Sequence, residues 1–171
     1  MRHRWLILVA FLAGCASAPD KLVTPAPVVA AERAFAADGA KRGWAAAFRS
    51  YAAPEAIMLN PDPINAHESL AKVDGDGETT LDWRPAYAGI SRSGDFGFTT
   101  GPFLIRGREG VVGHYFTVWR LQSDGSWKWI FDAGTDVVDT SPVAPNEEIP
   151  GLPMATTAAE LELFPTRTRT M

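Results

Sequence analysis

The stretch from Gly113 to Gly134, GHYFTVWRLQSDGSWKWIFDAG, constrains this chain more than any other. Aromatic and β-branched residues fill both of its arms, and these suit a pleated surface. Between the arms stands Asp124-Gly125, a dipeptide that tolerates the positive φ of a tight hairpin turn. With those two residues as the turn, Arg120 faces Trp129, Trp119 faces Ile130 and Thr117 faces Asp132. Side chains alternate across a strand, so Tyr115, Thr117, Trp119, Leu121, Ile130 and Asp132 share one face. His114, Phe116, Val118, Trp127, Trp129 and Phe131 share the other. Both faces are largely apolar, so the hairpin is expected to be covered on both sides, with a single carboxylate, Asp132, on the first.

A chain of 171 residues points to one domain. Its hydrophobic fraction of 46% and charged fraction of 21% fit a globular core. Six Trp and nine Phe favour an aromatic-lined interior. The net charge of −4, with no basic cluster in the body, argues against nucleic acid as a partner, because phosphate neutralisation needs clustered Lys and Arg. No His, Cys and Asp spacing supplies three convergent ligands, so neither a metal nor another cofactor is expected.

Residues 1–14 read as a targeting segment. Arg2, His3 and Arg4 make a basic start, and Trp5 to Leu12 is an apolar run too short to span a bilayer. Leu12-Ala13-Gly14-Cys15 resembles the lipobox of bacterial lipoproteins, which implies cleavage before Cys15 and lipidation of that residue. Several acyl chains anchor stably where one is marginal. Ala16 after the cysteine implies the periplasmic side of the outer membrane. An ordinary signal peptide cleaved after Ala16 or Ala18 is the alternative. Residues 15–27, with Pro19, Pro25 and Pro27, form a tether.

The domain proper is expected over 28–137. Val28 to Ala52 carries Phe35, Trp44, Ala45, Phe48 and Tyr51 at helical spacing, with Gly39 and Gly43 marking a bend or a close packing contact. Glu55 to Asn60 is a short strand. Asn65 is placed to cap a short helix, with Glu68 three residues on. Thr79–Ser91 and Phe96–Arg106 are two further strands, the first with a bulge or edge position at Pro85. Helices followed by strands joined through tight turns indicate an α+β fold. The segment 138–171 is a tail with one short helix at most, either a surface arm or a truncated second copy, since Ala158 to Phe164 echoes Ala30 to Phe35.

This order, with GDFGFTTG at 94–101, GHYFTVW at 113–119, GSWKWIFDAG at 125–134 and AERAFAADGAKRGWAAAF near the start, resembles the SnoaL-like branch of the nuclear transport factor 2-like superfamily. The resemblance implies a cone: a curved antiparallel sheet wrapped around a long N-terminal helix, with a homodimer formed through the outer sheet face. Trp127 and Trp129 are the expected dimer-face residues. The superfamily includes ketosteroid isomerase, scytalone dehydratase and non-catalytic binding domains. Where many relatives carry an acidic pair before the first strand, this chain has Pro54-Glu55-Ala56.

Asp132 is the leading candidate for chemistry. A carboxylate on an aromatic face is costly to bury ionised, so lining a cone would raise its pKa and fit it to proton abstraction beside a carbonyl. Tyr115, on the same face, is the candidate oxyanion donor. His114 falls on the opposite face, and only a register slip would complete a dehydratase-like Tyr–Asp–His trio. The competing reading has Asp132 capping backbone N–H groups or pairing with an arginine. Trp44, Phe48, Met58, Trp83 and Trp119 are candidates to line an apolar ligand cavity or simply to fill a core. Three functions follow: binding of a small apolar ligand or a partner protein, a ketosteroid isomerase-like or dehydratase-like reaction with Asp132 as base, or an accessory domain without a ligand that works through its dimer face.

Overall fold

The computed structural model describes residues 23–59, 61–73 and 80–136. Cys15 and the segment 138–171 lie outside these residues. Helix α1 spans Ala26–Arg42 and α2 spans Trp44–Tyr51. The first turn of α1 accommodates Pro27, whose missing N–H would have no helical partner there, so the helix starts two residues before the expected boundary. The single long helix expected over 28–52 is two helices. Gly43 separates them at φ 92, and its N–H donates to the Gly39 carbonyl at 2.9 Å. Gly39 marks the close contact instead: a Cβ there would stand 2.5 Å from Cη2 of Trp83.

Seven strands follow: β1 Ala52–Leu59, β2 Pro63–Asn65, β3 Leu81–Trp83, β4 Tyr87–Ile90, β5 Phe96–Ile105, β6 Gly113–Leu121 and β7 Trp127–Asp136. Between β2 and β3, α3 covers Ala66–Leu70, and the Asn65 side chain accepts from the N–H groups of His67 and Glu68 as a cap. The strand order is β2-β1-β7-β6-β5-β3, with β4 also on β5. The pairings are antiparallel except β1 with β7, so the sheet is mixed rather than wholly antiparallel. The chain comes straight from α2 into β1 and so enters the sheet in the direction of β7. Pro54 falls where the β1–β7 register breaks, and no ladder bond is lost there. Pro85 sits between β3 and β4 at a one-residue shift against β5, where the chain passes over Gly101 so closely that a Cβ would lie 2.0 Å from the Arg84 carbonyl.

The central hairpin corrects part of the expected register. Leu121 pairs with Trp127, Arg120 with Lys128 and Trp119 with Trp129, each one residue away from expectation. The turn is longer than two residues, with Gln122 N–H donating to Ser126 O and Gly125 at φ 83. A β-bulge at Ile130 then absorbs the shift, and Val118 with Phe131 and Thr117 with Asp132 pair as expected. The bulge turns Trp129 inward beside Trp119, both fully buried. Trp129 is therefore a core residue and not a dimer-face residue, and Trp127 packs half-buried against the same core. The inner sheet face closes on α1 and α2 through Phe35, Phe48, Trp83, Trp119 and Trp129, whose rings meet edge-on or tilted at 4.8–5.9 Å.

Candidate functional site

An apolar pocket of about 180 Å³ opens between the helices and the inner sheet face. Phe35 from α1, Trp44 and Phe48 from α2, Met58 from β1, Trp83 from β3 and Phe103 from β5 supply its walls. Tyr115, Thr117 and Asp132 supply its polar end. The lining holds no basic side chain among the described residues. Alternation along β6 and β7 past the bulge aims these three polar side chains at the helices, so the register of the hairpin's far end places the site.

Asp132 is 8% exposed, and its Oδ2 accepts the Thr117 hydroxyl at 2.6 Å. Burial raises its pKa to about 6, against the pull of the Thr117 hydrogen bond. Thr117 is fully buried and faces Asp132 across the ladder. Tyr115 is 7% exposed, and its hydroxyl makes no hydrogen bond of normal geometry among the described residues. Burial, and then the nearby charges of Glu32 and Asp132, push the Tyr115 pKa well up, while the Thr99 hydroxyl lies near enough to oppose this slightly. Tyr115 thus stays a neutral phenol with an unused O–H donor at the end of an apolar pocket. Beside it stands a carboxylate that can hold or take a proton.

Of the residues singled out from sequence, Asp132, Tyr115, Trp44, Phe48, Met58 and Trp83 come together in this pocket. Trp119 does not. It is fully buried below the pocket, and its indole N–H donates to Glu32 Oε2 at 3.1 Å and Thr99 Oγ1 at 3.0 Å. His114 stays on the opposite face, half-buried and paired with Thr135, because the bulge falls on the turn side of Val118 and leaves the lower register unshifted. No Tyr–Asp–His trio forms.

Sequence reasoning missed Glu32. This carboxylate is fully buried in α1 and accepts from Trp83 Nε1 at 2.7 Å, Thr99 Oγ1 at 2.5 Å and Trp119 Nε1 at 3.1 Å. Burial raises its pKa to about 7 despite those hydrogen bonds, and the Asp132 charge adds to the rise. Both carboxyls are pushed up by burial, and a charge on Asp132 favours the protonated form of Glu32. The signal was present: Val28, Glu32, Phe35 and Gly39 are spaced by four, three and four, which sets Glu32 in the apolar stripe of its helix.

No family model matches this chain, and no curated protein matches it. Solved structures do. A candidate ketosteroid isomerase from Parabacteroides distasonis matches at TM-score 0.51 and 16% identity over 67% of this chain and 88% of its own. An NTF-2 like protein of unknown function from Shewanella oneidensis matches at TM-score 0.52 and 15% identity, over 66% of this chain and 100% of its own. A candidate scytalone dehydratase from Novosphingobium aromaticivorans matches at TM-score 0.50 and 12% identity, over 70% and 88%. At such identities the likeness is one of fold, and the fold is nuclear transport factor 2-like.

Proposed function

We propose that this nuclear transport factor 2-like domain binds a small, largely apolar, uncharged molecule that carries one hydrogen-bonding oxygen. The observation that carries the reading is the Tyr115 hydroxyl, a buried group with no hydrogen bond of normal geometry among the described residues, which lines the end of an apolar pocket together with Asp132. A buried polar group without a partner costs about 1–3 kcal/mol, which a ligand oxygen accepting its O–H would recover. A pocket of about 180 Å³ suits a molecule of roughly one ring, since an engineered cavity of about 150 Å³ holds benzene. A carboxylate ligand is disfavoured, because it would meet Asp132 with no cation in the lining to offset the repulsion.

The test is mass spectrometry of small molecules released from the natively purified protein, with thermal shifts across a panel of one-ring phenols, ketones and carboxylates. Neutral oxygen-bearing rings should be recovered or should stabilise the fold, and carboxylates should not. Recovery of nothing together with no shift from any panel member contradicts the reading.

A second reading is supported by the raised pKa of Asp132, about 6. A base of that strength is largely ionised near neutrality, and with Tyr115 as donor to a carbonyl oxygen it suits proton transfer beside that carbonyl, as in a ketosteroid isomerase-like or dehydratase-like reaction. Exchange of ring α-hydrogens of cyclohexanone in D₂O, followed by NMR, distinguishes the two: turnover abolished by Asp132→Asn supports catalysis, and exchange at the uncatalysed rate leaves binding alone.

We further propose that Cys15 anchors the domain by lipid to the periplasmic side of the outer membrane and that two copies pair through the outer sheet face. The lipobox supports the first. Exposed Phe96 and Phe116 and the Phe98–Phe116 stack at 5.4 Å support the second. Cys15→Ser should release the protein from membranes, and Phe116→Glu should yield a monomer by light scattering.

A further inference from the structure

Glu32 lies behind the pocket rather than in it, and Trp83 belongs to both. The Trp83 ring forms pocket wall, while its N–H is held by Glu32 Oε1 at 2.7 Å. Trp83 ends β3, a strand that pairs with β5 on one side only, so the sheet constrains it weakly. Its ring is set by Phe35 at 4.9 Å, Phe48 at 5.8 Å, the backbone at Gly39, and Glu32. We propose that Glu32 is a positioning residue for the pocket: its two oxygens hold the Trp83 and Trp119 indoles and the Thr99 hydroxyl in one arrangement, and so fix the aromatic wall against which a ring-shaped ligand packs.

The inference rests on the binding reading above, and its chemistry is specific to a carboxylate. An ionised carboxylate only accepts, and here it meets three donors: Trp83 on Oε1, Thr99 and Trp119 on Oε2. Protonation turns one oxygen into a donor: on Oε2 the Thr99 hydroxyl must reverse and accept, and on Oε1 the Trp83 N–H faces a donor, so the hydrogen-bond pattern changes either way. Trp119 keeps Thr99 Oγ1 as acceptor in both cases, whereas Trp83 has no second acceptor among the described residues, so a proton on Oε1 displaces it and a proton on Oε2 turns Thr99 instead. The titratable groups that act on this site are Asp132 from β7 and Tyr115 from β6. Among the described residues Asp132 supplies the charge that shifts Glu32, and α2, β3 and β5 present aromatic rings and the Thr99 hydroxyl. Glutamine keeps the shape but replaces one accepting oxygen with an NH₂ donor that does not titrate, so with its oxygen on Trp83 the Thr99 hydroxyl must turn round, and the three donors are no longer all met by one group.

The experiment reads the wall directly, by near-ultraviolet circular dichroism of the tryptophans between pH 5.5 and 8.5, without ligand. Wild type should show one transition near pH 7. The transition should be absent in Glu32→Gln, shifted to lower pH in Asp132→Asn, which removes a like charge, and shifted to higher pH in Thr99→Val, which removes a hydrogen bond to the ionised form. Calorimetric titration with p-cresol should show Glu32→Gln binding about 5–10-fold more weakly than wild type at pH 8, with little change in affinity across pH 7. A flat wild-type signal, or the same transition in Glu32→Gln, overturns the inference. Should Glu32→Gln fail to fold, an unmoved midpoint in Thr99→Val overturns it instead. A transition present in a wild type that binds no p-cresol at any pH contradicts the binding reading and leaves Glu32 as the residue that sets the tryptophans.

Discussion

The base of the interior and the pocket above it each hold a buried acid, and the two are solvated in opposite ways. At the base, Glu32 is surrounded by three donors from β3, β5 and β6, so the protein itself supplies what water would have supplied. In the pocket, among the described residues, Asp132 receives one side-chain hydrogen bond, from Thr117, and its neighbour Tyr115 makes none of normal geometry. A saturated acid ties elements together. An unsaturated pair beside a cavity leaves hydrogen-bonding capacity for something else. The contrast separates the part of the interior that specifies the fold from the part open to a ligand.

The contrast is broken most severely at the base. Glu32→Ala leaves the Trp83 and Thr99 donors buried without their acceptor, a loss of about 3–6 kcal/mol by denaturant melts when both penalties and the vacated volume are counted. Asp132→Asn should change stability by about 1 kcal/mol or less, because it removes a desolvation cost along with an ion. Equal losses in the two variants would erase the distinction.

The pH dependence of stability follows with a definite sign. Both acids have folded pKa values above their ordinary 4.5 and 3.8, at about 7 and about 6. Between those limits the folded state binds more protons than the unfolded state, so stability falls as pH rises from about 4 to about 7 and levels off above. Glu32 alone accounts for about 3 kcal/mol of this at most. Urea midpoints at pH 5 and pH 8 check it, with the slope reduced in Glu32→Gln. The surface acids Asp38, Glu55, Asp95 and Asp124, held below the ordinary carboxylate range by their own hydrogen bonds, act in the opposite direction only at lower pH, and solvent screens them.

A smaller effect probes the wall between the two regions. Gly39→Ala sets a Cβ against the Trp83 ring, which Glu32 prevents from swinging clear. It should cost about 1–3 kcal/mol in stability and weaken p-cresol binding. Unchanged stability with unchanged affinity would show Trp83 to be free to move.

Much of this arrangement was legible in the residues. Asn65 as a cap and the Thr117–Asp132 pair follow from local chemistry and strand alternation, and the structure shows both, while Pro85, read as a bulge or edge position, marks a one-residue shift that splits the single strand expected over 79–91 into β3 and β4. The inward turn of Trp129 was not legible, because it depends on two compensating shifts: a longer turn at Asp124-Gly125 and a bulge at Ile130. Neither has a residue that demands it. For a related reason the sequence left cavity lining and core filling open for Trp119, and the structure shows core filling. Its face was right, but its depth depends on Thr99 and Glu32, which are 20 and 87 residues away in the chain. Glu32 itself was overlooked because a charge in a helix is usually solvated, although its place in the stripe of Val28, Phe35 and Gly39 marked it as buried.

The most direct measurement compares p-cresol with toluene, two rings of similar shape that differ by one hydroxyl, titrated into wild type and Tyr115→Phe. Wild type should bind p-cresol about 10-fold more tightly than toluene, from one recovered hydrogen bond of about 1–2 kcal/mol, and Tyr115→Phe should lose most of that preference while still binding toluene. Equal affinity for the two rings in wild type, or binding of neither, would contradict a ligand site built on Tyr115 and Asp132.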